Sequence, residues 1–227
     1  MFWSDDTDKK NEFVVPDDVV DIAYKLECRM LPLDHAQALS NAIAEALPWF
    51  YDEDKVGLHL IHVAESGNGW YRPEDPEHEV LCLSRRTRMT LRIPRHRIED
   101  AQSLTHQTLD IDGNQMKVGE ATIKPLSSLP TLFARYVVAE PNQDEHAFLR
   151  DMVAALQAME IPVSKLMAGK EHVFAMQDGP VYTRSLMVAD LGPEHAVKLQ
   201  QEGIGPGRKH GCGLFVPQKG ITPVRSD

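Results

Sequence analysis

The sequence predicts an α+β protein built from two ferredoxin-like, RRM-like units in tandem, each with the order βαββαβ. Three observations predict it. The same order of period-two and period-3.6 segments runs on either side of Pro130. Each half opens with an alternating strand followed by a helix carrying one apolar stripe. Each half also carries an Asp-Gly turn, Asp112-Gly113 and Asp178-Gly179, between two extended runs. The halves show no obvious repeat of sequence, so the inference rests on element order. It divides the chain into a flexible acidic leader at 1–16, a first unit at 17–128 and a second unit at 129–227.

Val20, Ile22, Tyr24, Leu26 and Cys28 alternate with polar neighbours, the pattern of a half-buried strand. Leu31-Pro32-Leu33 reads as a short connection. Asp34 is a good N-cap for a helix whose stripe is Leu39, Ala42, Ile43, Ala46 and Leu47, stopped by Pro48. Val56 to Ala64 reads as the next strand, and 66–79 as a long polar loop. Val80 to Ile93 reads as a strand or hairpin arm. In it Met89, Leu91 and Ile93 face one way while Arg86, Arg88, Thr90 and Arg92 face the other. A short helix follows Pro94, and Thr108 to Val118 is a hairpin that Ile123 to Leu126 extends or repeats. In the second half Phe133 to Ala139 is a strand. Asp144 opens a helix with the stripe Phe148, Leu149, Met152, Ala155, Leu156 and Met159. Lys165 to Met176 and Val181 to Leu191 are strands. Pro193 starts the last helix, and Leu214 to Val216 is the closing strand.

With 227 residues, 42% of them hydrophobic, the chain can bury one large core or two small ones. No apolar run reaches membrane-spanning length, and the acidic N-terminus does not read as a signal peptide. Three widely spaced cysteines, Cys28, Cys82 and Cys212, argue for a reducing cytoplasm and against disulfides or a zinc site. The net charge of −10 counts against a polyanion as ligand. Charge is nevertheless clustered: 84–97 contains Arg85, Arg86, Arg88, Arg92, Arg95 and Arg97 and no acid. A sheet face carrying three arginines is rarely just a solvated face, and arginines suit phosphates.

The second basic stretch is the loop 203–213, with Gly203, Gly205, Gly207, Gly211 and Gly213 around Arg208, Lys209 and His210. Glycine permits left-handed backbone and close approach to a ligand. The loop is no Walker motif, because His210 stands where Ser or Thr is needed and the order is helix, loop, strand. Its plainest reading is a helix C-cap at Gly203 leading into a hairpin. Its functional reading is a phosphate contact through Gly205, Gly207, Arg208, Lys209 and His210. His35, at the start of the first helix, is the candidate proton acceptor, since the helix dipole disfavours its charged form there while Asp34 pulls the other way. Tyr24, Ser40 and Lys209 are candidate helpers. His59 and His62, three apart on a strand, point to opposite faces and make a poor metal pair; no metal or cofactor is expected.

These pieces together resemble the CRISPR-associated endoribonucleases that process repeat RNA, the sixth Cas family of the RAMP superfamily, in its myxan-type branch. The resemblance is carried by Leu33-Asp34-His35-Ala36, Leu83-Ser84-Arg85-Arg86-Thr87-Arg88, Leu132-Phe133-Ala134-Arg135, Arg184-Ser185-Leu186-Met187, and the stretch from Leu199 through the glycine loop to Pro217. It implies metal-independent cleavage of precursor CRISPR RNA by attack of a 2′-hydroxyl, with His35 as general base. It implies repeat and guide RNA as partners, and other CRISPR effector subunits as a further class of partner. Two other readings fit the same residues: an RNA-binding subunit that does not cleave, and a metabolic enzyme with a phosphate loop.

Overall fold

A computed structural model describes residues 13–62 and 80–218. The expected polar loop at 66–79 and most of the expected leader lie outside the described residues. Phe13 and Val15, at the leader's end, pack against Val19, Leu126 and Val197.

The first unit is a five-stranded antiparallel sheet. Its strands are β1 (Val19–Glu27), β3 (Gly57–His59), β5 (Arg88–Pro94), β6 (Thr108–Ile111) and β7 (Asn114–Pro125), in the order β3-β5-β1-β7-β6. The second is β8 (Leu132–Val138), β9 (Lys165–Met176), β10 (Gly179–Ala189) and β11 (Val216–Pro217), in the order β11-β8-β10-β9. In each sheet the unit's first strand lies between its third and its last, the ferredoxin-like arrangement that the element order predicts. Helices α1 (Ala36–Ala46) and α2 (Ile98–Gln102) belong to the first unit, α3 (Glu145–Ala158) and α4 (Pro193–Glu202) to the second.

The α1 stripe of Leu39, Ala42 and Ile43 is buried against Ile22, Tyr24, Leu91 and Met116 of the first sheet. Each such Leu or Ile contributes roughly 1.5–3 kcal/mol when buried. Phe148, Met152 and Leu156 of α3 do the same in the second core, against Leu132, Ala134, Leu186 and Val188. Asp144 caps α3, accepting from the Ala147 N–H at 3.0 Å.

Four expectations are corrected. Leu31–Leu33 is not a plain connection: β2 (Met30–Pro32) pairs with β4 (Val80–Cys82) in a separate two-stranded sheet. The strand expected at Val56–Ala64 is only Gly57–His59. Val80 to Ile93 is not continuous but breaks between β4 and β5. There the Ser84 hydroxyl accepts from the Arg86 N–H and the Thr87 hydroxyl from the Ser84 N–H, each at 3.2 Å. Such local side-chain bonds compete with the ladder. Finally, Asp34 does not cap α1. His35 holds the N-cap position without a side-chain capping bond. Asp34 Oδ2 instead accepts from the Ala175 N–H of β9 at 2.7 Å. A tertiary partner has outcompeted the local one.

That bond belongs to the seam between the units. Ala36 of α1, Leu60 and Cys212 cover one end of the second sheet's outer face, where Tyr136, Val138, Phe174, Met176 and Val181 lie. Gly57 marks another contact, since a Cβ there would sit 2.5 Å from the Leu214 side chain.

Candidate active site and RNA interface

His35 sits at this seam and is 3% exposed. Its Nδ1 lies 3.1 Å from the Pro32 carbonyl oxygen and 3.2 Å from that of Leu33. Its Nε2 lies 3.1 Å from the backbone nitrogen of Ile61 and accepts that N–H. Two carbonyls on one side and an N–H on the other fix the tautomer: the proton is on Nδ1 and the lone pair on Nε2. Burial lowers the pKa of the ring, against the opposing pull of the Pro32 and Leu33 carbonyls and Asp34. The imidazole is therefore neutral at pH 7, but its lone pair is engaged.

The glycine loop folds over α1 beside it. Arg208–His210 form a single 3₁₀ turn flanked by Gly207 and Gly211, both left-handed with φ of 84° and 86°. A Cβ at Gly211 would collide with the Leu60 side chain, so both backbone and space require glycine there. The Gly213 N–H donates to the Tyr136 carbonyl at 2.7 Å, tying the loop to β8. Gly205 is exposed at the tip with φ of 74°. Lys209 donates to the Tyr51 carbonyl. His210 is half-buried, its Nε2 3.5 Å from Gln37 Nε2 on α1, and burial and then Lys209 hold its pKa below the ordinary value. Ser40 hydrogen-bonds the Tyr51 hydroxyl at 2.9 Å, within reach of this patch. Tyr24 is not: it is fully buried, with its hydroxyl donating to the Ala101 carbonyl at 2.7 Å.

Two of the arginines read as ligand contacts are structural. Arg92 is 0% exposed. Its Nε and Nη2 bind Asp21 at 2.8 and 3.0 Å, while Nη1 donates to the carbonyls of Gln200 and Phe215, each at 2.9 Å. Those carbonyls lie on the two stems of the glycine loop, so one guanidinium of the first unit clasps both. Burial works against the Asp21 carboxylate, but Arg92 and His59 overcome it and hold its pKa far below the usual range. The signal in the sequence was Asp21 itself, an acid inside an alternating strand, directly across from Arg92 in register. Arg208 is occupied too. It donates to the Glu202 carbonyl and lies 3.5 Å from that of Val56 and 3.4 Å from that of Lys55. Burial pushes its pKa down to about 10.

Arg85, Arg86 and Arg88 stand at the other end of β5 and are exposed. Arg85 and Arg86 have no side-chain partner among the described residues, and Arg88 folds back on the Arg85 and Thr87 carbonyls at 3.1 and 2.9 Å. Arg85 borders an open groove of about 1040 Å³ lined also by Lys25, Arg29, Ser84 and Asn114 among others; His35 is not part of it. No three His, Cys, Asp or Glu side chains converge as metal ligands among the described residues.

The family model described as Cas6 Crispr matches residues 20–220 of this chain. The chain belongs to the Cas6 family. It is 29% identical to the CRISPR-associated endonuclease Cas6 of Myxococcus xanthus over 207 residues, covering 91% of this chain and 85% of that protein. Among solved structures it is similar to a CRISPR associated protein Cas6, with a TM-score of 0.59 and 13% identity over 88% of this chain and 100% of that one. It is also similar to a Cas6-related protein from Pyrococcus furiosus, with a TM-score of 0.55 and 14% identity over 87% and 97%. A third is the CRISPR endoribonuclease Cse3 bound to a 19 nt RNA, with a TM-score of 0.50 and 11% identity over 87% and 96%. At these identities the structures establish the fold, and the family match rests on sequence.

Proposed function

We propose that this Cas6 protein is an endoribonuclease that cleaves precursor CRISPR RNA within the repeat, without a metal ion. The observation that carries the mechanism is the tautomer of His35: a neutral ring with its proton pinned on Nδ1 presents Nε2 as the base. When RNA enters the seam, a ribose 2′-hydroxyl takes the place of the Ile61 N–H at Nε2. The hydroxyl proton passes to His35 and the 2′ oxygen attacks the adjacent phosphorus. The bond to the 5′ oxygen breaks, leaving a 2′,3′-cyclic phosphate and a 5′-hydroxyl. The departing oxygen takes its proton from the cationic end of the glycine loop, where Lys209 stands beside His210. Charge on the phosphorane is offset by that same loop. Arg85, Arg86 and Arg88 hold the repeat through its phosphates and A-form shape. The setting is cytoplasmic, in keeping with three free cysteines.

The engaged lone pair of His35 favours one competing reading, an RNA-binding subunit of an effector complex that does not cleave. One experiment separates them: cleavage of the repeat RNA of the source genome in excess EDTA, by wild type and His35→Ala, with a matched substrate carrying one 2′-deoxy ribose. Cleavage by wild type, reduced about 10²- to 10⁴-fold by the substitution with binding retained, supports the enzyme. Tight binding without cleavage by wild type establishes the subunit reading instead.

A further inference from the structure

One edge of the seam, on the second sheet's outer face, carries a row of rings that the cleavage mechanism does not use. Tyr136 is at its centre. His62, reaching over from the first unit, has its ring centroid 5.7 Å from that of Tyr136. His172 of β9 lies 5.2 Å from Tyr136 on the other side, and both rest on Phe174, each 4.7 Å away. Phe174 is buried, Tyr136 and His172 are half-buried, and His62 is exposed. The row therefore has a packed floor and an open edge.

Its setting is polar in a particular way. The exposed Arg135 precedes Tyr136 and acts on His62. Packing against Tyr136 takes water from one side of the His62 ring, and that, followed by Arg135, holds its pKa well below the ordinary value. At pH 7 the ring is thus a neutral aromatic plate beside a cation. His62 also follows Ile61, whose N–H holds His35 Nε2, so the row adjoins the proposed base directly along the chain.

We propose that Tyr136, flanked by His62 and His172, is a stacking platform for one unpaired nucleobase of the RNA, next to the scissile phosphate. Flat rings beside an arginine are the chemistry that single-stranded nucleic acid recognises. The base stacks on the plates and its phosphate meets Arg135. The platform fixes the ribose whose hydroxyl His35 deprotonates. This inference rests on the RNA-cleaving reading above.

The test uses the full chain and its repeat RNA, with 2-aminopurine placed in turn at each unpaired position. Wild type should quench the fluorophore at one position near the cleavage site. Tyr136→Phe should keep the quench, whereas Tyr136→Ala and His62→Ala should reduce it and weaken binding roughly 5- to 150-fold, the range for loss of one base–aromatic stack. An abasic residue at the quenched position should weaken wild-type binding as much and abolish the difference between wild type and His62→Ala. His62 is exposed, so its substitution tests the platform even if Tyr136→Ala does not fold. Wild type that binds and cleaves while no position is quenched, or while His62→Ala and the abasic RNA behave as wild type, overturns the platform and leaves the enzyme standing. Wild type that binds no RNA overturns both.

Discussion

Arg88 and Arg92 leave the same face of the same strand, four residues apart, in a stretch without acids. Arg88 lies in solvent, and Arg92 is among the largest fully buried side chains in the protein's described part. About 13 Å of extended strand separates them. What differs is the roof. Over Arg92 lie the end of α4 and the residue before β11, whose carbonyls it binds; over Arg88 the described residues place nothing. The same side chain becomes a clasp where the second unit covers the first sheet and a surface cation where it does not.

Removing the clasp should have the largest effect. Arg92→Met leaves the Asp21 carboxylate and two carbonyls buried without a donor, at a cost of about 3–5 kcal/mol in urea unfolding. The pair Asp21→Leu with Arg92→Met removes the buried charge as well and should recover part of that loss. If the single substitution costs no more than Arg88→Met, the contrast between the two ends of β5 is wrong.

Next comes the loop that the clasp holds. Gly211→Ala forces a side chain into left-handed backbone and against Leu60, and should cost about 1–3 kcal/mol. A stable variant would mean that the loop is not seated on the first unit as described.

The open end should behave in the opposite way. Arg85→Ala, Arg86→Ala and Arg88→Ala together should change stability by no more than about 0.5 kcal/mol each. They should weaken RNA binding and lower its salt slope by about 0.7–1 per lost phosphate contact. An unchanged slope in a binding titration would remove the arginine turn from the interface.

A last effect is one of pH. His35 and His59 both have folded pKa values below the ordinary imidazole value of 6.5, each because of burial first. The unfolded chain then binds protons that the folded chain refuses. Stability is complete above about pH 6.5 and falls as pH drops below it, by up to about 1.4 kcal/mol per histidine for each unit. Urea midpoints at pH 7.5 and 5.5 check this. A midpoint that rises on acidification would contradict the neutral, buried state of His35.

Much of the fold was legible because its signals are local. The α1 and α3 stripes, the Asp112-Gly113 turn, the Asp144 cap and the strand order in each half depend on residues within a few positions of one another. Failures came where a distant partner won: Ala175 took Asp34 from its cap, and β2 found β4 across nearly fifty positions of sequence. The candidate site divides the same way. His35 and the glycine loop stood out by residue type and place in the element order. The fates of Arg92 and Arg208 did not, and neither did the grouping of His62, Tyr136 and His172.

The sequence by itself determined two βαββαβ units, a histidine opening the first helix and a basic glycine loop before the last strand. Tertiary structure alone decided which cations stay in water, which lone pair of His35 is presented and which rings share a rim. Periodicity is written in neighbouring residues, whereas desolvation depends on what the other unit lays on top.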